Sequence, residues 1–385
     1  MLSAVRLLAA ASLAFTGTAA PPIGEQQAWV LDAINAEQAW TVTKGRGVTV
    51  AVVDTGVDAK VKELRGRVTT GPDLSSASLE RKVRTGEHGT AMAALIAGSG
   101  ADGGLSGVAP ESAILSLPLP AGGAPGINFL PPSEDEQAGL ESPMARAIRY
   151  AANHGAKVVS LSIGSYGANK SEREAVSYAL GKGVVLVAAV GNDGQTKYAQ
   201  ANGTSYWNFP AGYPGVIGVG AVDKQGNRAA FSSDNLSVLV AAPGVEVPVV
   251  KRKGGYQLST GTSSATALVA GVAALIKAKY PDMSPAQVAQ ALAVSTRGRP
   301  AAGYDDKLGF GTVDAFAALN AAKALAGQQR AVDVPSGKHF GSGADSPGPS
   351  PPGPDPWRLW LYGGGVLLAL SAFCGAIIVL NQRKR

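Results

Sequence analysis

Four short motifs place an acid, a base, an amide and an alcohol along this chain. Asp54 ends the apolar run "VTVAVVD", His88 opens "HGTAMAALIAG", Asn192 lies in "VAAVGNDG" and Ser263 lies in "LSTGTSSATA". A serine hydroxyl is a weak nucleophile, so it needs a base to take its proton and a third group to orient that base. The residue types therefore suit nucleophilic catalysis at a serine, with the asparagine N–H as a donor to a developing oxyanion.

Each of these residues also has an ordinary structural interpretation. Ser263 and its neighbour Ser264 precede an apolar run, and serine is favoured at helix N-caps. Taken alone, this stretch favours capping over catalysis. Asp54 and Asn192 follow apolar runs, where Asp and Asn commonly begin turns. The rest of the chain has to decide between the two interpretations.

The chain has only three histidines, and their positions narrow the choice of base. His339 lies in a Pro-rich segment. His154 precedes a glycine at a predicted helix end, where a histidine usually does no more than interact with the helix dipole. His88 stands at a predicted helix start, either as an ordinary surface residue or as the base. It is the candidate base.

Strands and helices alternate between about residues 25 and 326. Runs typical of buried strands are "GVTVAVVD", "SAILSLPL", "AKVVSLSIG", "VVLVAAVGN", "GVIGVGAV" and "SVLVAAPG". Between them lie helical segments, and further helices are predicted to start near Ser263, Ser284 and Asp314. Apolar strands that alternate with helices predict a parallel sheet covered on both faces. Ligands bind beyond the carboxyl ends of such strands, which is where Asp54 and Asn192 stand.

The order Asp, His, Asn, Ser, in the motifs "DTG", "HGT", "GN" and "GTS", resembles that of the subtilisin-like serine proteases. The resemblance runs from about residue 29 to residue 319. It implies an α/β three-layer fold with a central, mostly parallel sheet and helices on both faces. It implies that Asp54 orients the general base His88 and that Ser263, which directly follows Gly-Thr, is the nucleophile. Asn192 matches the oxyanion-hole asparagine, with the Ser263 backbone N–H as second donor.

The same resemblance implies a substrate cleft. The segment "SLSIG" matches the strand that pairs with an extended substrate, residues 117–119 match the opposite wall, and residues 189–192 match the first specificity pocket. Ser264 is expected at the pocket edge, and the Phe209–Pro210 bond is expected to be cis. The substrate-binding residues predicted in this way are Ser162, Ile163, Gly164, Leu117, Ala189 and Gly191.

A loop and an insertion depart from the family pattern. The calcium loop that often follows the His-bearing helix is reduced to "GSGADGGLSG", so no cofactor is predicted and no calcium site is carried over. Residues 121–141 look inserted beside the cleft. Glu134, Asp135 and Glu136 in that insertion either favour basic substrates or form a solvated acidic loop, and the second interpretation is the commoner one for a charge run.

The two ends of the chain carry targeting signals. The run before Pro21 reads as a secretory signal peptide, and it is too short for an anchor helix. The chain is uncharged from Leu359 to Leu380, which is long enough to cross a bilayer, and Arg383, Lys384 and Arg385 predict a cytoplasmic C-terminus. The predicted segments are a signal peptide (1–20), an N-terminal extension (21–45), a peptidase domain (46–326), a Pro/Gly-rich linker (327–356), one transmembrane helix (357–380) and a basic cytoplasmic tail (381–385).

Composition argues against several other classes. The chain has 385 residues, of which 45% are hydrophobic, which suits a compact α/β domain. The net charge is +6, and the Lys and Arg residues are scattered with no basic stripe between aromatics, so no nucleic-acid partner is predicted. The only cysteine, Cys374, lies in the predicted transmembrane helix. The exported part therefore has no disulfide and no thiolate zinc site.

A finer resemblance is to the mycosins, membrane-anchored subtilases of actinobacterial type VII secretion. It rests on "WVLDAINAEQAW" before the first strand, the signal peptide, the Pro-rich linker and the C-terminal apolar run. Mycosins commonly carry disulfides, and this chain departs from them there. The resemblance implies cleavage of exported protein or peptide substrates and association with a type VII secretion complex in the inner membrane.

Three hypotheses follow from the sequence. The leading one is a membrane-anchored serine endopeptidase that acts outside the cytoplasmic membrane. The second is a scaffold subunit whose protease fold mainly braces a membrane complex. The third, a lipase-like hydrolase, is disfavoured because no Gly-x-Ser-x-Gly elbow surrounds Ser263.

Overall fold

A seven-stranded parallel sheet forms the centre of the fold. This computed structural model describes residues 22–74, 86–119, 141–326 and 356–382. The strands are β1 (Thr49–Asp54), β2 (Val68–Thr70), β3 (Ala113–Pro118), β4 (Val158–Leu161), β5 (Val185–Ala189), β6 (Ile217–Val222) and β7 (Val238–Pro243). Their order across the sheet is β2-β3-β1-β4-β5-β6-β7, and every neighbouring pair is parallel. The predicted parallel sheet is confirmed. A separate antiparallel hairpin consists of β8 (Val247–Val250) and β9 (Tyr256–Ser259).

The described α-helices lie before β1, between strands and after β9. They are α1 (Ile23–Ala33), α2 (Ala36–Trp40), α3 (Glu87–Ala97), α4 (Pro143–Asn153), α5 (Lys170–Gly181), α6 (Lys197–Asn202), α7 (Thr262–Lys279), α8 (Pro285–Val294), α9 (Ala315–Ala326) and α10 (Pro356–Gln382). Short 3-10 helices cover Lys62–Leu64 and Ala101–Gly103.

The sheet separates two hydrophobic cores. Side chains alternate along a strand, so Val50 and Val52 of β1 pack into one core while Ala51 and Val53 pack into the other. The first core contains the buried faces of α3, α7, α8 and α9, and the second contains those of α4 and α5. A strand that is buried on both faces has to be apolar throughout. The continuous Val and Ala run of β1 meets that requirement and holds its last residue, Asp54, rigidly at the sheet edge.

Polar residues set the predicted helix starts. The Ser142 hydroxyl accepts the Ala145 N–H at the start of α4, and Asn169 does the same for the first N–H groups of α5. Ser284 and Gln287 form a capping box at α8, with Pro285 in the first helical turn. The predicted starts near 263, 284 and 314 are confirmed within two residues.

Several predicted segments lie outside the described residues. These are the signal peptide (1–20), all but the last residue of the acidic insertion (121–141), and nearly all of the linker (327–356). The helix α10 covers the segment predicted to cross the membrane and belongs to a second unit, residues 329–385. Among the helices that the structure describes, none is both long and apolar enough to span a membrane. The predicted transmembrane helix over 357–380 is therefore unconfirmed.

Candidate active site

The Asp54 carboxylate lies at the carboxyl edge of the sheet, at the end of β1 between β3 and β4. Its side chain is only 1% exposed. The backbone N–H of Thr55 donates to Oδ1 at 2.7 Å, and the His88 Nδ1 lies 2.8 Å from Oδ1 and 2.9 Å from Oδ2. A buried carboxylate is stable only when it is paired and hydrogen-bonded. These contacts satisfy that condition and join two residues that are 34 positions apart.

Glycines on both sides of His88 allow the start of α3 to approach the turn that follows β1. The Gly86 N–H donates to Gly56 O at 3.1 Å, and the Gly89 N–H donates to Thr55 Oγ1 at 3.0 Å. A Cβ on Gly86 would collide with Thr55, and one on Gly89 would collide with the Gly56 carbonyl. The "DTG" and "HGT" motifs are therefore two halves of one contact that positions the imidazole on the carboxylate.

The protonation of His88 follows from its two surroundings. An ionised carboxylate only accepts hydrogen bonds, so Nδ1 carries the proton shared with Asp54 and Nε2 is the basic nitrogen. Burial lowers the pKa of His88, but the negative charge of Asp54 and its hydrogen bond raise it by more, so the pKa lies above the ordinary 6.5. The side chain remains 40% exposed, which leaves the ring accessible from the cleft.

Ser263 lies in the first turn of α7, against the residue that follows β4. Its Oγ donates to the Ser162 carbonyl at 3.1 Å, and the Ser162 hydroxyl donates back to the Ser263 carbonyl at 3.3 Å. Because β4 and β1 pair in register, with Val53 opposite Leu161, this contact brings Ser263 to the sheet edge that carries Asp54.

No hydrogen bond joins Ser263 to His88, both of which are described. The Ser263 hydroxyl has to leave the Ser162 carbonyl, by rotation about its Cα–Cβ bond, before His88 can take its proton. Catalytic hydrogen bonds in unliganded sites are often formed only when substrate binds. The structure thus joins Asp54 to His88 directly and brings Ser263 to the same edge without joining it to them.

The structure also separates the two neighbouring serines. The N-cap residue of α7 is Gly261, without a side-chain cap, so neither serine caps the helix. Ser263 is partly exposed, whereas Ser264 is fully buried and donates to Ser259 Oγ of β9 at 3.0 Å. The expectation that Ser264 lies at the pocket edge is wrong, because its side chain reaches no open surface.

Asn192 is held by the helix that carries Ser263. Its Oδ1 accepts the Thr262 N–H at 2.9 Å and the Thr262 hydroxyl at 3.0 Å. With Oδ1 so occupied, Nδ2 points away, and it donates to no residue that the structure describes. A Cβ built on Gly261 would lie 3.5 Å from Asn192 Nδ2 and 3.9 Å from the Ser263 N. Both predicted oxyanion donors therefore border the same space.

The predicted substrate-pairing segment follows β4. Ser162 is buried, Ile163 is half-buried and Gly164 is exposed. A Cβ on Gly164 would collide with the Phe209 carbonyl and approach both amide atoms of Asn208 to 2.9 Å. The predicted cis Phe209–Pro210 bond is confirmed. The loop containing it supports the substrate-pairing segment from behind.

Asn208 is a buried residue behind the predicted cleft that no sequence motif indicated. The Asn208 Nδ2 donates to the Ala189 carbonyl at 3.3 Å. A Cβ built on Gly191 would lie 3.5 Å from the Cβ of Asn208. Asn208 is 8% exposed, and its Oδ1 has no hydrogen-bond partner among the described residues. It therefore lies between Gly164 and Gly191, the two glycines of the predicted cleft. The only available signal was its place directly before the Phe-Pro pair.

Leu117 does not form a cleft wall, which corrects the prediction. It is fully buried and packs in the core with Val53 and Leu161, and a Cβ on Gly71 would approach its Cδ2 to 2.6 Å. Alternate side chains of a strand share a face, so Leu117, two residues after Leu115, points like Leu115 toward the helices of the second core. Substrate cannot reach Leu117 in this arrangement.

No group of three His, Cys, Asp or Glu side chains in the described ranges is close enough to hold a metal ion. The absence of a cofactor stays an untested prediction.

A parallel α/β sheet with an Asp–His pair at its edge and a helix-start serine beside it has the architecture of a serine peptidase. Residues 45–311 match the Subtilase family (Peptidase S8), and the chain belongs to that family. Among its relatives, thermitase from Thermoactinomyces vulgaris is 36% identical over 244 residues, which cover 63% of this chain and 79% of thermitase. The relatives are serine endopeptidases, and this chain is one as well.

A narrower similarity is to the mycosins. Mycosin-1 from Mycobacterium tuberculosis is 34% identical over 313 residues, which cover 71% of this chain and 69% of mycosin-1. The structure of MycP3 protease from the type VII (ESX-3) secretion system superposes with a TM-score of 0.64 at 32% identity, over 76% of this chain and 87% of MycP3. The structure of MycP1 from the ESX-1 type VII secretion system superposes with a TM-score of 0.62 at 30% identity, over 76% of this chain and 85% of MycP1. The resemblance to mycosin-type subtilases is confirmed.

Proposed function

We propose that this chain is a membrane-anchored serine endopeptidase that cleaves extracytoplasmic proteins with Asp54, His88 and Ser263 as its triad. The observation that carries the proposal is the paired contact of His88 Nδ1 with both oxygens of a carboxylate that is 1% exposed. An Asp–His pair of this kind leaves Nε2 as a base whose protonated form is stabilised. Ser263 is the partly exposed serine at the same sheet edge.

The reaction proceeds through an acyl-enzyme. Substrate binding turns the Ser263 hydroxyl from the Ser162 carbonyl toward His88, and Nε2 takes the proton as Oγ attacks the scissile carbonyl carbon. Asn192 Nδ2 and the Ser263 N–H stabilise the oxyanion. His88, now an imidazolium paired with Asp54, protonates the leaving amine. Water then enters, gives a proton to His88 and attacks the acyl carbon. The ester C–O bond breaks as His88 returns that proton to Ser263 Oγ, which releases the acid product and restores the Ser263 hydroxyl and the neutral His88.

The substrate lies extended along Ser162, Ile163 and Gly164, and its side chain before the cleaved bond enters the pocket at Ala189 and Gly191. Asn208 Oδ1 is buried behind these residues and has no hydrogen-bond partner among the described residues.

Membrane anchoring is supported by the sequence. The run from Leu359 to Leu380 is uncharged and is followed by a basic tail, and the helix α10 extends over it. In this arrangement the peptidase domain is extracytoplasmic and the C-terminus is cytoplasmic. Protease protection of a C-terminal epitope tag in sealed spheroplasts, together with degradation of the peptidase domain from outside, tests this topology. Degradation of the tag from outside would contradict it.

Labelling with a fluorophosphonate probe tests the nucleophile. The full-length wild-type chain in detergent is expected to label, and Ser263→Ala is expected not to. Ser264→Ala is the matched control, since it removes the adjacent hydroxyl, and it should label as the wild type does. Labelling that persists in Ser263→Ala would overturn the assignment.

A link to type VII secretion is supported by the relatives, one of which is described as a serine protease that is an essential component of the type VII (ESX-1) secretion system. The same likeness favours a second candidate function, that of a scaffold subunit with proteolysis secondary. Secretion from cells that carry Ser263→Ala, compared with cells that lack the gene, separates the two. Full secretion in the first and none in the second would make the scaffold the main function.

A further inference from the structure

A concave basic surface lies on the side of the molecule where the loop after β1 meets the β8–β9 hairpin. This basic groove has a volume of about 540 Å³, and its walls are residues 58–65 and residues 251–256. Six cationic side chains line it: Lys60, Lys62, Arg65, Lys251, Arg252 and Lys253. The two walls are about 190 positions apart in the sequence, so these cations look scattered until the hairpin brings them together.

Of the described residues that line the groove, only two are acidic, Asp58 and Glu63, against its six cations. Glu63 is 2% exposed, and its Oε1 accepts the Tyr256 hydroxyl at 2.7 Å. Burial, together with the negative charge of Glu63, raises the pKa of Tyr256, so the hydroxyl stays protonated as the donor. Asp58 Oδ1 accepts the Lys60 backbone N–H. Glu63 thus supports the floor of the groove and presents little charge to solvent.

Most of the cations are exposed and lack an ion-pair partner. All of them except Arg252 have more than a third of their surface open to solvent. Within the part of the chain that the structure describes, no ion pair involves Lys60, Lys62, Arg65, Lys251 or Lys253. Like charges gathered on a concave surface raise the local potential and attract anions.

Both walls of the groove are tied to the helix start that carries His88. The Arg252 backbone N–H donates to Glu87 Oε1 at 3.2 Å, and Glu87 directly precedes His88. On the other wall, the Asp58 N–H donates to Thr90 Oγ1 at 2.9 Å, two residues after His88. The basic groove therefore adjoins the His88 end of the proposed cleft.

We propose that the basic groove is an exosite that binds an acidic segment of the protein substrate outside the residues at the scissile bond. This rests on the proposed function. A peptide fits the concave shape because it inserts side chains between the two walls, whereas a bilayer presents a flat surface. The aromatic ring in the groove, Tyr256, is held by Glu63 and offers no series of stacking platforms of the kind that single-stranded nucleic acids use.

Binding is measured with the full-length Ser263→Ala chain, so that no cleavage interferes. A fluorescein-labelled oligoglutamate peptide is titrated by anisotropy, with oligoglutamine of the same length as the neutral probe. The acidic peptide is expected to bind, more weakly as salt rises, and the neutral one is not. Charge reversal in the groove should raise the Kd at least about tenfold. The groove variant carries Lys60→Glu, Lys62→Glu and Lys251→Glu.

A matched control changes the net charge by the same amount at exposed lysines outside the groove. Its Kd is expected to stay within about twofold of the parent, since distant surface charges are screened. An equal loss in both triple variants would show attraction to the whole chain and would overturn the exosite. The control variant carries Lys182→Glu, Lys224→Glu and Lys323→Glu.

Two other outcomes would also overturn the proposal. One is the failure of the acidic peptide to bind at low salt. The other is groove-dependent binding to phosphatidylglycerol vesicles without binding to the peptide, which would make the groove a membrane contact. The experiment measures binding to the Ser263→Ala chain, which lacks the proposed nucleophile. The result therefore does not depend on whether the wild type cleaves peptides. If the groove binds the acidic peptide but the wild-type chain cleaves no peptide, the groove remains a site for acidic peptides and the proposed function is removed.

Discussion

The proposed catalytic centre has two halves that are held in different ways. We call Asp54, which ends β1, together with His88, which it holds at the start of α3, the strand-borne half. We call Ser263 in α7, together with Asn192, which follows β5 and accepts a hydrogen bond from α7, the helix-borne half. In the strand-borne half, the Asp54 carboxylate is almost fully buried and contacts the Thr55 N–H and His88 at 2.7 to 2.9 Å. In the helix-borne half, the Ser263 hydroxyl makes a single 3.1 Å hydrogen bond to a backbone carbonyl. Asn192 in the same half is exposed and held only through its Oδ1.

The difference follows from charge. A buried carboxylate exchanges its hydrogen-bond partners only at a high free-energy cost, because its charge would be unpaired during the exchange in a medium of low dielectric constant. A neutral hydroxyl exchanges one hydrogen bond for another at a cost of about 1 kcal/mol. The fold therefore fixes the acid–base pair in advance and leaves the nucleophile to move by one side-chain rotation.

Removal of the nucleophile gives the largest expected effect. Ser263→Ala deletes the reactive oxygen and is expected to lower kcat by about 10⁶-fold, as in other Ser–His–Asp enzymes. The melting temperature should change little, since only one hydrogen bond to Ser162 is lost. Hydrolysis of a quenched fluorescent peptide measures the rate. A residual activity within a hundredfold of the wild type would mean that another residue attacks.

Asp54→Asn breaks the strand-borne half with little change in shape. The amide can donate to Nδ1, which favours the wrong histidine tautomer, so kcat is expected to fall by about 10⁴-fold. Asp54→Ala, measured beside it, should be no more active, which would show that charge and tautomer matter rather than volume. A loss of less than tenfold in Asp54→Asn would mean that the carboxylate does not orient the base.

Asn192→Ala removes one donor of the helix-borne half. The expected loss in kcat is about 10²- to 10³-fold with KM nearly unchanged, because the donor acts on charge that develops in the transition state. Asn192→Asp is the informative partner, since it keeps the acceptor for the Thr262 N–H but replaces the N–H donor with a negative charge. If Asn192→Asp were as active as the wild type, Asn192 would only hold the helix.

The pH dependence reports the strand-borne half in the intact enzyme. His88 must be neutral to act, so kcat/KM should fall about tenfold per pH unit below its pKa, which lies above 6.5. Stability has the opposite sign. A pKa raised in the folded state contributes stability that is fully present below the unfolded value and is lost as the pH rises through the folded value. An NMR titration of His88 in the wild type and in Asp54→Asn measures the pKa on which both the rate and the stability depend. The pKa should fall in the variant.

The sequence was sufficient for the sheet and for the Asp54–His88 pair. Six strands are largely apolar, since each is buried on both faces, and the end of such a strand fixes where a following Asp must lie. The short edge strand Val68–Thr70 carries no such run, and the sequence analysis did not identify it.

Side-chain direction and long-range approach were the parts that could not be predicted. Leu117 looks in the sequence like a strand-end residue beside the cleft, yet strand parity buries it in the core with Leu161. Asn208 lies behind the predicted cleft because two glycines, Gly164 after β4 and Gly191 after β5, approach it closely. The basic groove depends on a hairpin that closes over a loop about 190 residues earlier. No local pattern encodes these approaches, since they arise from packing between distant segments.

Ser264→Ala gives the smallest expected effect and sharpens the contrast with its neighbour. Its hydroxyl is fully buried and bonds only to Ser259 Oγ, so its loss should lower the free energy of unfolding by about 1 kcal/mol, seen as a lower urea midpoint. The rate of peptide hydrolysis should stay within about twofold of the wild type, because the side chain neither reaches the cleft nor caps α7. A loss of rate above tenfold, with stability unchanged, would show that the buried hydroxyl helps to position Ser263, and the helix-borne half would then be less free to move than its single hydrogen bond indicates.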